Sequence, residues 1–295
     1  MHSDNLRGSA LMVLAMLGFA VEDMFVKLLS DAMPVGQILM MLGLSGAVVF
    51  ALLTRAQGQR VIIPAILSPA VMLRNFGELL AAACYVTAIA LTTLSSASAI
   101  LQATPLAVTL GAALFMGAQV GWRRWSAILV GFVGVLMIVR PGLDGFQPAS
   151  LFAVVSVIGL AIRDLATRAV PAAVTSMQLS CYAFATMVPT GAALLVFSGG
   201  TMMPGPQVWA FLAGATVFGV MGYYFIVGAM RIGDVATVTP FRYTRLIFTL
   251  FLGIVLLGER PGVWTFAGAA VIIASGLYTF VRERRLARAS GVLAP

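Results

Sequence analysis

The sequence predicts an all-α integral membrane protein: ten transmembrane helices arranged as two inverted five-helix repeats. Three observations point there. The 295 residues are 61% hydrophobic and only 9% charged, with a mean hydropathy of +1.03; a soluble domain carries about 25% charged residues. Apolar runs of roughly 20 residues, the length that spans a bilayer as a helix, follow one another along the chain. Backbone in lipid is satisfied only in helices or closed barrels, and the runs lack the period-2 alternation of a barrel. The two halves also read alike at an offset of about 140 residues.

The spans are expected at 8–29, 35–53, 71–90, 95–115 and 122–139, then at 149–170, 175–197, 208–230, 235–257 and 263–281. The first follows "MHSDNLRGSA", which lacks a cleavage-site pattern, so it reads as a retained span rather than a signal peptide. "SDAMP" separates it from the second. The third carries Arg74, Asn75 and Glu78 among apolar residues, and the fourth opens on "SSASA" and holds Gln102 shortly before Pro105. The fifth follows the basic "GWRRW", and "RPGLDGFQP" then joins the halves, giving repeats 1–141 and 142–295, the second with a short basic tail. The sixth span contains Arg163 and Asp164, the eighth Tyr223 and Tyr224, and the ninth "TPFRYTRLIF". The parallels run in one order: "YVTAIALTTLSSASA" with "YFIVGAMRIGDVATV", "LGAALFMGA" with "FLGIVLLGE", and "GFVGVLMIVR" with "ASGLYTFVR". Five spans per half is an odd number, so the second half enters the membrane inverted, as in many transporters.

The net charge of +8 would suggest nucleic acid in a soluble protein. Here it sits mainly in loops and tail, and nucleic acid is not expected as a partner. Arg7, Arg55, Arg60, Arg123, Arg124, Arg168, Arg231, Arg282, Arg284, Arg285 and Arg288 fall on one side, against Lys27, Arg140 and Arg260 on the other. The bias predicts both termini cytoplasmic; the expected location is the plasma membrane, a bacterial inner membrane. Cys84 and Cys181 stand far apart in apolar runs and read as small hydrophobes. His2 is the one histidine, so histidine catalysis, histidine metal sites and relays have no material. No metal or cofactor is expected.

Charges inside spans carry the functional signal. Arg242 and Arg245 lie about 10–15 Å into span nine at 1.5 Å per residue, and their i, i+3 spacing puts them on one face. Each intramembrane charge costs roughly 3 kcal/mol unless it faces a cavity or a partner. Glu22, Asp23, Glu78 and Asp164 are available as partners, with Arg74 and Arg163 nearby in sequence. Pro240 removes one backbone hydrogen bond beside the arginines. Two guanidinium forks in one turn suit a carboxylate or phosphate. Gln102, Tyr85, Tyr223, Tyr224 and Tyr243 add polar tips on apolar bodies, suited to a zwitterionic or aromatic ligand. The expected substrate-binding set is thus Asp23, Glu78, Tyr85, Gln102, Asp164, Tyr223, Tyr224, Arg242, Tyr243 and Arg245. Loss of Arg245, or of Arg242, is expected to leave folded protein in the membrane with transport abolished or sharply reduced. Lys27, near the end of span one, is expected to snorkel to the interface.

The segments "GFAVEDMFVKLL", "SSASAILQATPLAVTLGAALFMG", "RRWSAILVGFVGVLMIVRPG" and "VTPFRYTRLIFTLFLGIVLLGERP" resemble the drug/metabolite transporter superfamily in its ten-span form with paired EamA-type repeats. The chain is similar to YddG-like amino-acid exporters and, at the same motifs, to uptake carriers for S-adenosylmethionine and riboflavin. It departs from the pattern twice: "GQILMMLG" in span two lacks an arginine, and Ala118 stands where an acid commonly ends span four, while Glu259 keeps that acid in span nine. The resemblance implies alternating access around a mid-membrane site, a small-molecule substrate and the bilayer as partners, and a monomer as the unit. The leading expectation is export of amino acids, aromatic ones included; import of a cationic or aromatic metabolite is the alternative. No nucleotide-binding motif is present. An intramembrane enzyme would need paired histidines or an activated serine, and neither occurs. A non-transporting assembly protein would not need a polar centre related by the repeat.

Overall fold

The computed structural model describes residues 2–117, 121–143, 146–198, 200–232 and 235–289. Ala118 lies outside the described residues, as do the side chains of Arg231, Arg284, Arg285 and Arg288. Among the described residues every regular element is helical. The helices are α1 (His2–Ser30), α2 (Val35–Ala56), α3 (Pro69–Leu91), α4 (Leu94–Leu101), α5 (Thr104–Phe115), α6 (Trp122–Val139), α7 (Ser150–Thr167), α8 (Ser176–Ser198), α9 (Pro206–Ile232), α10 (Val235–Val238), α11 (Thr244–Val255) and α12 (Val263–Ala289). Spans four and nine are each in two pieces, α4–α5 and α10–α11, where sequence suggested continuous runs. Eight segments, with α4–α5 taken as one, are long and apolar enough to cross a membrane by composition alone. The remaining two spans are α3, which carries Arg74 and Glu78, and α10–α11, whose break at Thr239–Tyr243 leaves no single helix of spanning length.

The packing follows a two-fold rule. α1 packs along α9 and α3 along α7; α2 packs along α8 and α6 along α12; α4 touches α11. Numbered as spans, these pairs are 1·8, 3·6, 2·7, 5·10 and 4·9. Exchanging each span with the one five later turns 1·8 into 6·3 and leaves the other pairs unchanged. The halves are therefore related as repeats, and the odd number of spans per half inverts the second.

Close approaches fix the register of this symmetry. On the α1–α9 crossing, a Cβ at Gly18 would stand 3.0 Å from the Phe218 carbonyl oxygen and 3.1 Å from the Gly222 Cα. On the α7–α3 crossing, a Cβ at Gly159 would stand 2.8 Å from the Gly77 carbonyl oxygen and 2.7 Å from the Ala81 nitrogen. Gly18 matches Gly159, Phe218 matches Gly77 and Gly222 matches Ala81, all at an offset of 141. Small residues let helix backbones meet where lipid offers no hydrophobic drive for association. One buried cluster, with Ile100, Ile138, Val157, Leu246 and Ile272 among its members, runs through both halves. Leu129, Val133, Ile247 and Phe251 are more than half exposed on the outside, a surface suited to acyl chains.

Candidate functional site

The two broken spans meet at their breaks. In span four the helix lapses at Gln102 and Ala103, and Pro105, which has no N–H to offer, sits in the first turn of α5. In span nine, Thr239–Tyr243 forms a 3-10 turn around Pro240 between α10 and α11. Gln102 and Tyr243 are equivalent at the 141 offset, and Gln102 Nε2 donates to the Tyr243 carbonyl at 3.3 Å. Each restarted helix closes its first turn alike: Thr104 Oγ1 donates to the Leu101 carbonyl and Thr244 Oγ1 to the Phe241 carbonyl, both at 2.6 Å. Discontinuous helices in corresponding positions of two halves are where transporters place their sites.

Charged side chains surround this crossing in two clusters. In the first, Arg245 on α11 holds Asp23 on α1 in a fork: Nε to Oδ2 at 3.0 Å, Nη2 to Oδ1 at 2.8 Å and Nη2 to Oδ2 at 2.7 Å. Tyr85 on α3 donates its hydroxyl to Asp23 Oδ2 at 3.2 Å. The guanidinium carbon lies 5.3 Å from the Phe19 ring centroid and 5.6 Å from that of Tyr85. The side chains are 19% and 6% exposed, so this is a largely dehydrated, neutral unit with three directed contacts.

The second cluster chains α3 to α7. Arg163 binds Asp164 Oδ1 through Nε and Nη2, both at 2.8 Å, and reaches Glu78 Oε1 at 3.5 Å. Arg74 meets Glu78 Oε2 at 3.4 Å and donates to the Leu179 carbonyl at 2.9 Å. Asp23 and Asp164 are repeat equivalents at the same offset. The two clusters are thus related positions with different partners.

Arg242 belongs to neither. Among the described residues its guanidinium has no hydrogen bond and no ion pair, and its Nε is buried without a partner. It lies within electrostatic reach of Asp164, Arg163, Tyr223 and Arg245. The structure therefore divides the arginine pair differently from the sequence expectation. Arg245 is the committed one and Arg242 the open one, because a carboxylate 222 positions away in the chain lies against the first and none closes on the second.

The other expected residues separate as well. Tyr85 and Glu78 join the clusters, and Gln102 is used as a brace between the two breaks. Tyr223 packs edge-on against Phe50 at 5.3 Å. The Tyr243 hydroxyl fills the space that a Cβ at Gly276 would need, on α12. Tyr224 lies apart: it is 60% exposed, edge-on to Phe225. Lys27 Nζ donates to the carbonyls of Ile89, Ala90 and Thr92 at 3.0, 3.4 and 3.1 Å, capping the C-terminal end of α3, where unsatisfied carbonyls attract a cation. Cys181 is buried and lies 3.5 Å from the Ala47 carbonyl, and Cys84 is partly buried. Phe19, unremarked in the sequence, supplies a ring face to Arg245; an aromatic four residues before an intramembrane acid was the available signal. Glu259 accepts from Leu94 N at 2.5 Å, Ser95 N at 3.0 Å and Ser95 Oγ at 2.5 Å, so it caps α4 from the opposite half.

Inverted repeats, broken helices and an open cation at their crossing define a multi-pass membrane transporter rather than an enzyme. The EamA-like transporter family matches the chain twice, at residues 6–140 and 147–281, and the protein belongs to that family. The riboflavin transporter of Rhizobium johnstonii is 28% identical over 204 residues, 69% of this chain and 67% of its own. The S-adenosylmethionine uptake transporter of Rickettsia felis is 24% identical over 65% of this chain and 64% of its own length. These two matches span about two thirds of each relative. The pseudopaline exporter CntI of Pseudomonas aeruginosa is 28% identical over 271 residues, 90% of this chain and 93% of its own. A solved crystal structure superposes with a TM-score of 0.59 over 97% of this chain and 99% of its own at 19% identity, a likeness of fold.

Proposed function

We propose that this protein is a secondary transporter that exports small polar metabolites, amino acids with aromatic members included, from a bacterial cytoplasm. Both termini are cytoplasmic in this reading. Repeats 1–141 and 142–295 rock against each other, and a single chain is the working unit. The observation that carries the reading is Arg242, an unpaired guanidinium at the break of span nine. An uncompensated charge is disfavoured within a membrane span unless a cavity or ligand receives it. A substrate carboxylate answers both needs, because a planar fork takes it bidentately. Asp23, Glu78, Tyr85, Gln102, Asp164, Tyr223, Tyr243 and Arg245 then form or brace the walls. Tyr224, exposed and apart from this group, has no role in the proposal. Export is favoured because the relative named as an exporter aligns over 90% of this chain, against less than 70% for the two uptake carriers described.

A second reading, import of a cationic or aromatic metabolite, rests on the names of those two carriers. Purified protein in liposomes, loaded in turn on the inside and the outside with amino acids, S-adenosylmethionine and riboflavin, decides between them. Amino-acid flux lost in Arg242→Ala supports the first reading. Flux of S-adenosylmethionine or riboflavin alone, unaffected by that substitution, replaces it.

A further inference from the structure

Repeat symmetry exposes a second open charge. The offset that carries Asp23 onto Asp164 carries Glu22 onto Arg163 and Glu78 onto Gly219. In one relation, Glu78 on α3 meets Arg163 on α7 at 3.5 Å. In the other, the facing positions are Gly219 on α9 and Glu22 on α1. They do face each other: a Cβ at Gly219 would stand 2.6 Å from Glu22 Oε1 and 2.8 Å from its Cδ. An ion pair in one half is a carboxylate against bare glycine backbone in the other. Among the described residues Glu22 has no hydrogen bond and no ion pair. The charged groups around it are Asp23 and Arg245, already bound to each other, and Glu78, which is held by Arg74 and Arg163. Phe25 and Phe218, flanking these positions on α1 and α9, stack with centroids 6.1 Å apart and offer no counter-charge.

The charges of the span interiors then sort cleanly. Glu22, Asp23, Glu78 and Asp164 stand against Arg74, Arg163, Arg242 and Arg245. Six of them pair among themselves; the two left over, Arg242 and Glu22, have opposite signs. A ligand that is only an anion would satisfy Arg242 and leave the Glu22 carboxyl to keep a proton or stand uncompensated. A ligand with both signs satisfies both.

We propose that Glu22 is the second pole of the binding site and takes the positively charged group of the transported molecule, while Arg242 takes its anionic group. The inference rests on the reading of Arg242 given above and sharpens it: the site selects dipolar metabolites over simple anions. Gly219 is then a specificity-determining position, because its missing side chain keeps the Glu22 carboxylate free.

The test is binding to detergent-purified protein by calorimetry, with phenylalanine and 3-phenylpropionate as probes. They share ring and carboxylate and differ in the ammonium group. Wild type is expected to prefer phenylalanine. Glu22→Gln, nearly isosteric, should weaken phenylalanine by roughly tenfold or more, as loss of one partner of a buried charge pair does, and leave 3-phenylpropionate unchanged. Gly219→Ala, which pushes the carboxylate aside, should give the same pattern more mildly, with both variants melting as wild type does. Arg242→Ala should weaken both probes alike. If Glu22→Gln leaves phenylalanine binding unchanged while Arg242→Ala weakens both probes, the inference fails and the transporter reading stands. If Glu22→Gln weakens both probes equally, and wild type alone exchanges a proton with buffer on binding, Glu22 holds a proton and the inference fails. If neither probe binds wild type, the Arg242 reading falls and takes this inference with it.

Discussion

Arg245 and Arg242 stand three residues apart on one span, and the sequence puts both on one face and in one expected binding set. The structure separates them. Arg245 has two carboxylate oxygens, a hydroxyl-braced partner and two ring faces, whereas Arg242 has a buried Nε without any partner. The two halves repeat this contrast: Glu78 faces Arg163, while Glu22 faces Gly219. In a membrane, where an unpaired charge is expensive, the proposed reading separates charges that hold helices together by pairing from charges held ready for a ligand. The rocking motion proposed above would use both kinds close together.

Substitutions can break or sharpen that contrast. The largest effect is expected at the committed pair. Arg245→Ala leaves Asp23 buried without its cation and should lower stability by about 3–5 kcal/mol, and adding Asp23→Ala should recover much of the loss. Thermal melting of detergent-purified variants reads both steps; full stability of the single variant would show that the pair is not architecture. Next come the glycine crossings. At Gly77→Ala the new Cβ stands 2.6 Å from the Arg163 nitrogen and 2.7 Å from the Gly159 carbonyl, both backbone atoms. An overpacking loss of about 1–3 kcal/mol is expected there. Gly18→Ala, at the related crossing with contacts of 3.0 and 3.1 Å, should cost less, and a reversed order in melting would contradict the packing argument. The smallest effect belongs to Tyr85→Phe. It removes one hydrogen bond to a charged acceptor, about 1.5 kcal/mol, and should leave substrate discrimination intact. A changed preference between the two phenyl probes would move Tyr85 from the brace to the ligand.

The order of the spans was legible because apolar runs record most of them directly, eight by length and composition alone, and the weak parallels near 140 residues announced the repeat. The break in span nine was half legible through Pro240. The break at Gln102 was not, since its proline falls three residues later, inside the restarted helix. Which arginine is paired could not be read from spacing at all: the answer depends on Asp23, brought up by a helix at the far end of the chain. The partners of Lys27 were hidden for the same reason, because the α3 carbonyls it caps are a tertiary feature. The Glu22–Gly219 contrast was present in the letters. It became visible only once the close approaches of α1 with α9 and α3 with α7 fixed the offset to the residue.

The central claim is that Arg242 is open because a substrate completes it. Arg242→Ala, reconstituted in liposomes beside wild type at matched protein amounts, tests it most directly when its melting temperature is measured on the same preparation. The account predicts a melting temperature equal to that of wild type and amino-acid flux reduced by roughly tenfold or more, with Arg242→Lys restoring part of it, since lysine keeps the charge and loses the fork. Wild-type flux from a stable Arg242→Ala protein, or a melting loss as large as that of Arg245→Ala, would contradict it.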